Sequence, residues 1–161
     1  MINFYLQDYL DVDMENYFHK KLPYESLSSI KVKISELLKF LLLSRFYKSN
    51  IPFSVSIDEI WHLWILETKQ YLELMKKLPD NKFIHHSSNQ YNGEAALRHK
   101  EEGMAIKKKF SYFVSYVFNF GCFTEDTIQY YPMAIKIMAL EKMSLKEFNQ
   151  YLVKIGKDNL S

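Results

Sequence analysis

From Ser26 to Lys48, apolar side chains recur at three- and four-residue steps: Ile30, Ile34, Leu37, Leu38, Leu41 and Leu42. That period places them on one face of an α-helix. Leu43 and Phe46 widen the stripe, which predicts a helix at the centre of the fold. A second helical pattern covers 57–77, with Ile57, Ile60, Trp61, Trp64, Thr68 and Tyr71 along one side. Ser56 followed by Glu59 at the third position predicts a capping box at its start. A third helix is predicted over 94–119 from Ile106, Phe110, Phe113, Val114 and Val117, with Gly103 as a weak point.

Weaker patterns complete the chain. Phe4, Tyr5, Tyr9 and Leu10 predict a first helix over 3–18, stopped at Leu22-Pro23. Residues 82–92 read as a loop or short extended piece. Gly121 is placed to close the third helix in a left-handed conformation. Thr124-Glu125-Asp126 predicts a short turn before Tyr130-Tyr131-Pro132. A helix over 133–142 follows, then a last one opened by Ser144-x-x-Glu147 and ended by Gly156. The expectation is one all-α domain spanning 1–161, a compact bundle of five to seven helices.

Composition agrees with helices. Only four glycines and four prolines occur in 161 residues, too few for a turn-rich β fold. A net charge of +2, spread along the chain, argues against nucleic acid as a partner. The one basic run, Lys107-Lys108-Lys109, reads as a solvated helix face. The longest apolar stretch, LLKFLLLSRF, is short and carries Lys39 and Arg45, so no membrane span is expected. The N-terminus has early acids and no basic region before an apolar run, unlike a signal peptide. Cys122 is the single cysteine; it reads as a small buried side chain and fits a reducing cytoplasm.

The chemistry concentrates in IDEIWHLWILETKQYLELMKKLPDNKFIHH, residues 57–86. Asp58 and His62 are four apart on a predicted helix and so share a face. An Asp/His/His set with water in the fourth position makes an open divalent-metal site, zinc first, then ferrous iron or manganese. His85 and His86 supply the third ligand, and adjacent histidines rarely ligate one ion together. Read blandly, Asp58 complements the helix dipole, His62 bonds to it, and His85-His86 are loop residues. Trp61 and Trp64 at helical spacing read as core before they read as a binding platform. Ser87-Ser88 has no acid to orient it as a nucleophile, and His19 and His99 carry no signal.

The Asp-x-x-Trp-His segment, the Thr-x-x-Tyr after it and the distant His-His pair resemble the glycine-rich domain-containing protein family, its bacterial single-domain members especially. The matching positions are Ile57, Asp58, Trp61, His62, Thr68, Tyr71, His85 and His86. Weaker likeness in the leucine-rich helix before them and in Tyr116 and Phe120-Gly121 extends the resemblance over about 36–125. Many members carry a cysteine soon after the tyrosine, where this chain has Met75, and an acid or proline after the His pair, where it has Ser87-Ser88. A site built on that thiol is lost here, and these 161 residues hold no glycine-rich tract. The resemblance implies a site at Asp58, His62 and His-His rather than a reaction. Two functions stay open. One is a metal-dependent hydrolase with Asp58, His62 and His86 as ligands, His85 nearby, and Glu59 or Tyr71 handling protons. The other is a non-catalytic module in which the Asp–His set latches the 82–92 loop and an aromatic surface meets a protein partner.

Overall fold

The computed structural model describes residues 2–44, 53–79, 83–86 and 99–158, as backbone alone over 99–109. Readings placed on Phe46, Ser87-Ser88, Ile106 and the Lys107–Lys109 run lie outside the described side chains. Eight α-helices occur among the described residues: α1 (Val12–Lys21), α2 (Leu27–Ser44), α3 (Val55–Leu66), α4 (Thr68–Lys77), α5 (His99–Phe120), α6 (Glu125–Ile128), α7 (Pro132–Leu140) and α8 (Leu145–Asp158). The all-α reading holds. Among the described residues, no helix is long and apolar enough to cross a membrane.

α2 is the axis. Ile30, Ile34, Leu37 and Leu38 are wholly enclosed, and α1, α3, α5 and α6 all pack on it. α8 lies against α5. Its entry is the predicted capping box: Ser144 N–H donates to Glu147 Oε2 at 2.8 Å, and Glu147 N–H donates to Ser144 Oγ at 3.3 Å. α5 closes at Gly121, whose φ of +90° is open to glycine without strain. The backbone then turns through Phe123, held by Asn149 of α8, which accepts from Phe123 N–H and donates to its carbonyl, both at 2.9 Å.

Several boundaries differ from expectation. The predicted first helix is a 3-10 turn at Leu6–Asp8 followed by α1. Asp11 starts α1 by accepting from Met14 N–H at 2.8 Å, so the chain re-nucleates there. The expected Ser56–Glu59 box is not the start of α3. Ser54 holds the N-cap position, because its N–H donates to the Tyr130 carbonyl at 2.8 Å and fixes where the chain enters. Ser56 Oγ pairs instead with Ser54 Oγ at 2.9 Å. Cys122 is exposed, not buried.

The predicted single helix over 57–77 breaks at Glu67, whose ψ of 70° is not helical. The break and the four-residue α6 raise the helix count above seven. A hydrogen bond from Trp61 Nε1 to Tyr71 Oη at 3.1 Å shows what the break does. On an unbroken helix these residues would stand about 15 Å apart along the axis.

α8 does not stop at Gly156. It continues to Asp158, and Gly156 is buried against α5. A Cβ at this position would meet Val114 Cγ1 at 3.6 Å, an ordinary contact. Gly156→Ala is therefore expected to raise stability by about 0.5–1 kcal/mol, read as a higher urea midpoint with unchanged slope. A lower midpoint would mean that α8 and α5 sit too close for a methyl group.

The core also holds a buried acid that the periodicity passed over. Glu36 on α2 is fully enclosed. Its Oε1 accepts from Lys39 Nζ at 2.7 Å and Tyr116 Oη at 3.0 Å, and its Oε2 from Tyr131 Oη at 2.7 Å. Lys39 Nζ also stands 4.9 Å from the Tyr116 ring centre, with Phe4 and Phe120 just beyond. Burial, and then the Glu36 charge, push the Tyr116 and Tyr131 hydroxyls well above the ordinary tyrosine range.

Candidate metal centre

Asp58 lies in the first turn of α3, where helical spacing puts it directly below His62. Its carboxylate is the hub of the site. His62 Nδ1 approaches Oδ2 at 2.8 Å and the Asp58 carbonyl at 2.8 Å. His86 Nε2 approaches Oδ1 at 2.7 Å. The Asp58 and His86 side chains are 6% and 7% exposed, whereas His62 is 50% exposed. Solvent therefore reaches the cluster from the His62 side.

The aromatic surroundings fix both rings. Trp61 meets His86 edge-on, with ring centres 4.6 Å apart, and His62 lies 4.2 Å from His86. Trp61 and Trp64 are both core residues, Trp64 packing on Phe18. Tyr71, the first apolar position of α4 to turn inward, accepts from Trp61 and donates to the Ile84 carbonyl at 2.7 Å. Burial pushes its hydroxyl up to about 12, and the Trp61 bond partly offsets this.

The segment 83–86 explains which histidine takes part. Its burial alternates residue by residue, the pattern of an extended chain whose side chains face opposite ways in turn. Ile84 and His86 turn toward the helices; Phe83 and His85 are exposed. The His85 ring packs on Phe83, 4.8 Å away, and contributes nothing to the cluster, so it leaves the expected ligand set. Glu59 is exposed, one residue round the helix from Asp58, and does not join it either.

One donor atom each from Asp58, His62 and His86 lies within 4.8 Å of the others, a group that can hold a metal ion. Two imidazoles and a carboxylate suit zinc or a neighbouring divalent transition metal. Tetrahedral bonds of about 2.0–2.1 Å hold ligand atoms about 3.3–3.4 Å apart. The nitrogens here stand 2.7–2.8 Å from the carboxylate oxygens. An ion would enter by displacing the bridging protons and moving its ligands apart. The fit is one of donor type and convergence.

Comparison with known proteins returned no matching family model, no matching curated relative and no matching solved structure.

Proposed function

We propose that the chain binds one divalent transition metal, zinc first, through Asp58, His62 and His86. The convergence of three ligand atoms from two separate segments supports this reading. When bound, such an ion supplies a Lewis acid that polarises an oxygen and acidifies a bound water. The protein's own groups have distinct parts. Asp58 is the buried anionic anchor, His86 ties segment 83–86 to α3, and His62 stands where solvent meets the cluster.

A hydrolytic use needs a proton-handling group beside the ion. Neither expected group is placed for it. Glu59 faces solvent, and the Tyr71 hydroxyl is committed to the Ile84 carbonyl. Among the described residues, this favours an ion that fastens a segment over one that turns over a substrate. A second reading keeps the latch without the ion. Its support is the 2.7 Å contact of His86 Nε2 with Asp58 Oδ1, which ties down His86 as it stands. In it, the exposed side carrying Phe83 and His85 meets a protein partner.

Elemental analysis of protein purified without chelator or affinity tag separates the two. One equivalent of metal is expected in the wild type, with loss in both His62→Ala and His86→Ala. A wild type that stays metal-free when challenged with zinc, ferrous iron and manganese would sink the metal reading. Under the latch reading, Asp58→Asn makes segment 83–86 more sensitive to protease in metal-free protein. Unchanged cleavage there would count against the latch.

A further inference from the structure

Ile84 is held by its backbone at both ends. Its carbonyl accepts from Tyr71 Oη at 2.7 Å, and its N–H donates to Met75 Sδ at 3.4 Å. Both side chains come from α4, four residues apart and therefore on one face, and both are buried. Tyr71 is itself aimed by Trp61 Nε1. Trp61 in turn packs edge-on against His86. The relay starts on α3 between the two ligands Asp58 and His62, crosses to α4, and returns to the strand-like segment two residues before the third ligand. The break at Glu67 makes the crossing geometrically achievable.

We infer that Tyr71 and Met75 form a backbone clamp that positions His86 for the ion, with Tyr71 the principal positioning residue. The inference rests on the metal reading above. An extended segment attached only through His86 would have to be ordered by the ion, at a cost to affinity. Clamping Ile84 orders it in advance, and two residues of extended chain then carry the His86 ring to the face on which Ile84 lies. Groups that orient metal ligands without touching the metal typically alter affinity 10–100-fold (about that range) when removed.

The test is zinc and cobalt(II) titration of wild type, Tyr71→Phe and Met75→Leu. Leu152→Ala, which removes buried volume on the far helix α8, serves as a control for lost stability. Tyr71→Phe is expected to keep one equivalent of metal and the wild-type cobalt absorption spectrum, so the ligands are the same. Its affinity is expected to fall about 10–100-fold. Met75→Leu should fall by less, because sulfur is a weak acceptor. Leu152→Ala should lose stability and keep wild-type affinity. Tyr71→Phe within twofold of wild type overturns the clamp alone. A fall matched by Leu152→Ala overturns it too, since general loosening then accounts for the effect. A wild type that binds no metal overturns the metal reading and the clamp with it.

Discussion

Glu36→Ala is expected to destabilise the fold by about 3–5 kcal/mol, enough to leave a typical domain of this size marginal or unfolded. The carboxylate is the common acceptor for Lys39, Tyr116 and Tyr131, on α2, α5 and the α6–α7 link. Removing it leaves the buried Tyr131 and Tyr116 hydroxyls without an acceptor and takes the carboxylate from Lys39, whose ammonium keeps only the Tyr116 oxygen at 2.8 Å. The cost comes from those orphaned donors more than from any net strength of the pair. That distinction has its own measurement. Replacing all four groups together, by Glu36→Leu, Lys39→Met, Tyr116→Phe and Tyr131→Phe, takes the donors away along with the acceptor. The quadruple variant should therefore recover most of the stability lost in Glu36→Ala. Urea unfolding followed by circular dichroism gives both numbers. A Glu36→Ala cost below about 1 kcal/mol would show that water or a rearranged Lys39 satisfies the site.

Much of this architecture could be read from the chain, and the failures share a cause. The α2 stripe and the Ser144–Glu147 box are local signals, settled within a few residues, and both held. Ser56–Glu59 had the same local form and failed, because a backbone bond to Tyr130 set the start of α3 instead. The break at Glu67 has no glycine or proline to announce it, and the contact it allows, Trp61 to Tyr71, spans ten positions. Glu36 is harder still, since its tyrosine partners lie 80 and 95 positions away. A hint was present, however. Glu36 stands next to Leu37 and Leu38 in the middle of the buried helix, and a charge there must be paired.

The site divides in the same way. Asp58 and His62 pair by helical spacing and could be read directly. His86 lies 28 positions from Asp58, and nothing local reaches across that interval. Local sequence likewise gives no ground for His86, named as the ligand, over His85. In FIHH the two phases of an extended chain are equally apolar, pairing Phe83 with His85 and Ile84 with His86. Tyr71 and Met75 settle the phase by holding the Ile84 backbone. The residue that completes the cluster is thus chosen by groups outside it.

At the alkaline end, the fold is expected to fail cooperatively between about pH 11 and 13. Tyr112, Tyr116 and Tyr131 are all held well above the ordinary tyrosine range, burial being the largest cause for each. Tyr71 is raised to about 12 for the same reason. The sign follows from proton linkage. Above pH 10 an unfolded chain releases these protons while the folded chain keeps them, so the folded state binds more and stability falls as pH rises. Below pH 10 both states are protonated, and the contribution is fully present. Each tyrosine that stays neutral in the fold subtracts about 1.4 kcal/mol per pH unit. The three core tyrosines together subtract about 4 kcal/mol per unit, and Tyr71 adds its share until about pH 12. A domain with a typical 5–15 kcal/mol of stability is exhausted within about one to three pH units. Tyrosinate absorbance and helical circular dichroism, followed together in an alkaline titration, check this. The buried tyrosines should ionise in one step that coincides with loss of helix, separate from a smooth titration of the exposed ones. Tyr131→Phe should move the step to higher pH relative to its own stability at neutral pH, because one fewer proton drives it. If all twelve tyrosines ionise smoothly near pH 10 with the helices intact, the hydroxyls around Glu36 are not closed off from water.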